Sequence, residues 1–112
     1  MVLYHITKVE NIESIMEKGI LPNYKKGITC GGRKQTQVFL TNDINKVIKT
    51  QIGSVWENEI AIFEVEVHNI EPHRYYCFEP PKDSDFEFVT DKVDTENIKN
   101  ILKTCISDIY FR

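Results

Sequence analysis

Cysteine is scarce in this chain: three residues in 112, at positions 30, 77 and 105, with no Cys-x-x-Cys pair. An odd, scattered set argues against both a disulfide framework and a structural zinc site. Free thiols suit a reducing compartment, so the expected location is cytoplasmic. Positive charge is not in excess either. Fourteen Lys and Arg stand against seventeen Asp and Glu, a formal net charge of −3. There is no broad basic field, and non-specific affinity for nucleic acid should be weak. No apolar run approaches the ~20 residues of a membrane-spanning helix, so no membrane partner is expected. The N-terminus lacks a basic region followed by an apolar run, which predicts no signal peptide. There is no Gly-x-Gly-x-x-Gly and no Walker loop, so dinucleotide binding by those routes is not expected. His68 and His73, with Glu71 nearby, lack a recurring metal-ligand spacing. They read as surface residues, and no metal is expected.

What is present is enough for one domain over residues 1–112 with a small core. Val2, Leu3, Tyr4 and Ile6 have strand character. Thr7 with Glu10 three residues later has the form of a capping box, which predicts a helix starting there. Val9, Ile12, Ile15 and Met16 recur at helical spacing, and Gly19 can take the left-handed conformation that ends a helix. Residues 23–37 form a polar loop rich in Lys, Gly and Thr. They hold a possible local basic patch of Lys25, Lys26, Arg33 and Lys34. Val38, Phe39, Leu40 and Thr41 read as a buried strand. Asn42 or Asp43 should cap a second helix with Ile44, Val47, Ile48 and Ile52 as its stripe, ended by Gly53.

Residues 60–67 form the clearest strand, with Phe63, Val65 and Val67 alternating with Glu64 and Glu66. Residues 70–85 carry three prolines among aromatics and charges and suggest an irregular excursion. Residues 86–90 read as a further strand. Asp94 or Thr95 should cap a short helix with Ile98, Ile101 and Leu102 inward, and residues 105–111 should form a last strand. The pattern predicts an α+β domain: a mainly antiparallel split sheet with short flanking helices.

Three stretches together carry a resemblance. Leu3-Tyr4-His5-Ile6-Thr7, with Asn11-Ile12, Ser14-Ile15 and Lys18-Gly19-Ile20-Leu21, resembles the first motif of the ADP-ribosyltransferase folds. These include DarT-type DNA-modifying toxins, poly(ADP-ribose) polymerases and, more distantly, RNA 2′-phosphotransferases. Val38-Phe39-Leu40-Thr41-Asn42-Asp43 resembles the second motif. Phe86-Glu87-Phe88-Val89-Thr90-Asp91 resembles the third. They stand in the family's order over nearly the whole chain. His5, Phe39 and Glu87 then occupy the places of the family's His, Tyr and Glu. Phe39 departs from the pattern: its ring can stack, but it has no hydroxyl.

The resemblance implies NAD as substrate, with ADP-ribose passed to a nucleic-acid or protein acceptor, as toxins of this class do to host molecules. Glu87 would stabilise the positive charge that builds on the ribose as the nicotinamide bond breaks. His5 would bond hydroxyls of the adenosine ribose, and Phe39 would hold the nicotinamide. Arg33 would meet the pyrophosphate. Thr7 and Thr41, inside the same motifs, complete the implied NAD contacts. Two other readings stand beside this one. A degenerate domain of the same fold would bind a nucleotide or a protein without chemistry. An RNA 2′-phosphotransferase would need several arginines and a second histidine, and this chain has only Arg33, Arg74 and Arg112.

Overall fold

The computed structural model describes residues 1–22, 37–51, 59–75 and 78–107. Its core is built on β3 (Glu59–Glu66), in which Ile60, Ala61, Ile62 and Phe63 are four successive buried apolar residues because both faces of the strand are covered there. Ala61, Phe63 and Val65 pack with Leu3, Val38, Leu40, Val93 and Ile15 of helix α1 (Ile12–Lys18) on one side. Ile60 and Ile62 pack with Ile6, Val47 and Ile48 on the other, under helix α2 (Ile44–Gln51). β1 (Val2–Lys8) runs antiparallel to β3 through seven successive pairs, from Val2↔Glu66 to Lys8↔Ile60. Among the described residues β2 (Val38–Thr41), β4 (Glu71–Tyr75), β5 (Lys82–Thr90) and β6 (Ile98–Cys105) complete one six-stranded antiparallel sheet, ordered β4-β5-β2-β1-β3-β6. The result is a compact α+β domain with a two-sided sheet and few short helices. Among the described residues no helix is long and apolar enough to cross a membrane.

Where the sequence reading and the fold part, pairing across the sheet is the cause. The Thr7–Glu10 capping box does not form. β1 keeps pairing to β3 at Thr7↔Ala61 and Lys8↔Ile60, and a 3-10 turn (Val9–Asn11) precedes α1. The Thr7 hydroxyl instead accepts a bond from Asn11 Nδ2 at 2.8 Å. Met16, expected on the inner face of α1, is 47% exposed. The predicted cap of α2 is present: Asp43 Oδ1 accepts from the Lys46 N–H at 3.1 Å. Ile52, Gly53 and residues 108–111, given structural roles above, lie outside the described residues, as does most of the 23–37 loop.

The expected irregular excursion over residues 70–85 contains β4 and the start of β5. β4 is an edge strand, so Pro72 can lie in it without breaking a ladder on both sides. The expected helix carrying Ile98, Ile101 and Leu102 is strand β6, preceded only by a 3-10 turn (Thr95–Asn97). The helical spacing comes from a bulge. Val65 pairs with Ile98 and Glu64 with Asn100, so Lys99 is an extra residue on β6. That insertion brings Ile98 and Ile101 to one face of a strand, both packed on the core. Leu102, opposite Ile62 on this edge strand, is 58% exposed.

Gly19 ends α1 as expected, but not in the left-handed helical region. Its φ of 82° and ψ of −177° fall in a region that is essentially glycine-only. A Cβ there would run into the Val93 carbonyl oxygen, beside the bridge in which Ile20 and Val93 exchange backbone bonds at 2.8 and 2.9 Å. G19A should therefore lose about 1–3 kcal/mol, the cost of one strained backbone conformation, plus whatever the steric contact adds. Urea unfolding of the two proteins checks this, and equal midpoints would refute it.

Candidate functional site

The site is built by an irregularity in β5. On β4, Pro72 pairs with Phe88 and Arg74 with Asp83, so His73 alone faces residues 84–87. Such a wide bulge needs its backbone groups satisfied, and three neighbours do this. The Ser84 hydroxyl, nearly buried, accepts the Phe86 and Glu87 N–H groups at 3.2 and 3.0 Å. The Thr41 hydroxyl donates to the Phe86 carbonyl at 2.6 Å, and the Asn42 N–H reaches the same oxygen at 3.2 Å. Thr41 Oγ1 also accepts from the Asp43 N–H at 3.0 Å. Thr41, implied above as an NAD contact, has its hydroxyl committed to holding this corner.

The bulge delivers Glu87 to the α2 face of the sheet, where it pairs with Thr41. There it accepts the Tyr75 hydroxyl on Oε1 at 2.9 Å. Oε2 has no partner among the described residues. Tyr75 stands in a row of rings along β4. Phe39 and His73 meet edge to face with centroids 4.9 Å apart, His73 and Tyr75 do the same at 4.9 Å, and Tyr75 and Phe78 follow at 6.4 Å. Aromatic rings prefer this geometry because a positive edge meets a negative face. Phe39 and Glu87 thus share one face, linked through His73 and Tyr75. His73 is half-buried in the row, not on the surface as its sequence context suggests; His68 is exposed.

His5 arrives from the other side. Leu3 packs on the α1 face and Tyr4 and Ile6 on the α2 face, so alternation starts His5 and Thr7 from the α1 face. Among the described residues β1 pairs with β2 only at Tyr4↔Thr41. Beyond that pair the His5 imidazole bridges the seam, with Nδ1 2.9 Å from the Phe39 carbonyl oxygen. A carbonyl only accepts, so Nδ1 carries the proton. In the neutral ring Nε2 is then an acceptor, and it has no partner among the described residues. Burial lowers the His5 pKa below its ordinary 6.5, and the bond to Phe39 opposes part of that shift. His5 is therefore neutral near pH 7.

A depressed native pKa means that the folded chain binds fewer protons than the unfolded one. Stability is complete above 6.5 and declines as the pH falls from 6.5 towards the native value. Urea midpoints on either side of 6.5 should show H5N, which does not titrate there, losing less than the wild type. Equal losses would refute the assignment.

Of the six residues singled out in the sequence, Phe39 and Glu87 come together, and His5 adjoins Phe39 across the seam. Thr7 lies two residues further along β1 on the His5 side. Thr41 supports the bulge, and Arg33 lies outside the described residues. Sequence reading missed Tyr75, His73 and Ser84. The alternation of His73 and Tyr75 was the available signal, but the flanking prolines made the stretch look irregular. No protein-family model matches the chain, and no curated protein matches it.

Proposed function

We propose that this chain has an ADP-ribosyltransferase-like fold and acts as a small NAD-dependent ADP-ribosyltransferase in the cytoplasm, modifying a nucleic-acid or protein acceptor. One observation carries the reading. A built β-bulge aims Glu87 at the aromatic row that begins at Phe39, with one carboxylate oxygen anchored and the other without a partner among the described residues. Bulges of this kind re-aim side chains next to active sites.

In this reading each residue acts at a stated atom. Glu87 Oε2 takes a hydroxyl of the nicotinamide ribose and stabilises positive charge as the nicotinamide leaves. Neutral His5 accepts an adenosine-ribose hydroxyl at Nε2, the nitrogen that its bond to Phe39 leaves over. Phe39 supplies a ring surface for nicotinamide. The hydroxyl that Phe39 lacks has a counterpart nearby, because Tyr75 brings one to Glu87 from β4.

A second reading, a nucleotide- or protein-binding module without chemistry, is favoured by one contact. His73 already occupies part of the surroundings of the Phe39 ring that nicotinamide would use. Incubation with labelled NAD and separate pools of DNA, RNA and protein separates the two. Transfer of label to one pool is expected. NAD binding with neither cleavage nor transfer would favour the module, and no binding at millimolar NAD would remove both nucleotide readings.

A further inference from the structure

We propose that Tyr75 is a positioning residue for Glu87: its hydroxyl fixes one carboxylate oxygen so that the other is presented to the substrate. This rests on the transferase reading and adds a residue to it that none of the three sequence motifs contains.

The geometry is specific. A glutamate on a strand has three rotatable side-chain bonds and is ordinarily free to sample several rotamers. Glu87 is half-buried, and its Oε1 accepts the Tyr75 O–H at 2.9 Å. Tyr75 is itself constrained, with ring edges or faces meeting His73 at 4.9 Å on one side and Phe78 at 6.4 Å on the other. A donor held in this way pre-organises the acceptor, and the energy of ordering the carboxylate is spent in folding instead of at the moment of reaction. The backbone repeats the arrangement, because Ser84 and Thr41 fix the bulge from which Glu87 projects. No proton changes hands. The tyrosine remains the donor to Oε1, and the negative charge of the carboxylate faces the ribose.

Removing only the hydroxyl tests this, since Y75F keeps the ring and its packing. NAD cleavage, thermal melting and the carboxyl 13C resonance of Glu87, assigned by its loss in E87Q, are measured for the wild type, Y75F, E87Q and the double variant. Misplacing a reacting group in this way lowers turnover on the order of 10- to 100-fold. The kcat of Y75F should fall by that amount, with KM within about twofold and melting unchanged, because the hydroxyl orders the carboxylate and binds no substrate. The Glu87 resonance should move in Y75F. The double variant should be no slower than E87Q, since Tyr75 acts only through Glu87.

Wild-type kcat in Y75F, losses that multiply in the double variant, or a parallel fall in kcat and melting temperature would each overturn the positioning role while leaving the transferase reading in place. A wild type that cleaves no NAD would overturn the transferase reading and the positioning role with it. An unmoved Glu87 resonance in Y75F would refute the contact itself, whatever the activity.

Discussion

The E87Q variant should bind NAD as the wild type does and cleave it roughly 100- to 1,000-fold more slowly, the scale of losing one electrostatic stabiliser of a transition state. The substitution keeps size and shape, and the amide oxygen can still accept the Tyr75 hydroxyl that Glu87 Oε1 accepts at 2.9 Å. The bulge should also survive, because its bonds run through the Ser84 and Thr41 hydroxyls and the backbone. Binding changes little because the carboxylate matters most when ribose charge develops, later than binding. Initial rates of NAD cleavage, calorimetric NAD affinity and melting temperature decide the matter together. Wild-type turnover would take Glu87 out of the site. A fall in turnover that tracked a fall in stability would make it a structural residue.

The F63A variant should lose about 3–5 kcal/mol of stability, the range for truncating a buried aromatic side chain. Phe63 is fully buried at the middle of β3, opposite His5 on β1 and Ile101 on β6. Truncation leaves a cavity beneath three adjacent strands, and a rigid sheet can close it only in part. A domain of this size is stable by only about 5–15 kcal/mol, so a large share of the folded population is at stake near physiological temperature. The urea midpoint measures the effect. A loss below about 1 kcal/mol, well under the usual cavity range, would show that the sheet repacks around the gap. The two variants should separate cleanly: E87Q loses chemistry at constant stability, and F63A loses stability first.

Elements whose signals are local are legible in the order of residues alone. The strand character of β1, the apolar alternation in the second half of β3, the short buried run of β2, the Asp43 cap of α2 and the glycine stop after Lys18 can each be read from a few neighbouring residues, and each is present. His5, Phe39 and Glu87 are singled out by the resemblance of the three motifs that hold them, and each stands in a strand. Their arrangement was not legible. Which face a residue occupies follows from strand order and register, and His5 starts from the face opposite to Glu87 because β1 pairs in that register with β3. β6 imitated a helix because a bulge at Lys99 turned a period of two into a step of three. β4 was hidden because Pro72 is tolerated only at a sheet edge, and edge position is a property of the assembled sheet. Tyr75 meets Glu87 because His73 alone spans residues 84–87, an arrangement held by the Thr41 and Ser84 hydroxyls. Hydrophobic periodicity reports which side of a strand is buried. It carries no information about how many residues face one another across a ladder, and that count, set by tertiary hydrogen bonds, decided the shape of the site.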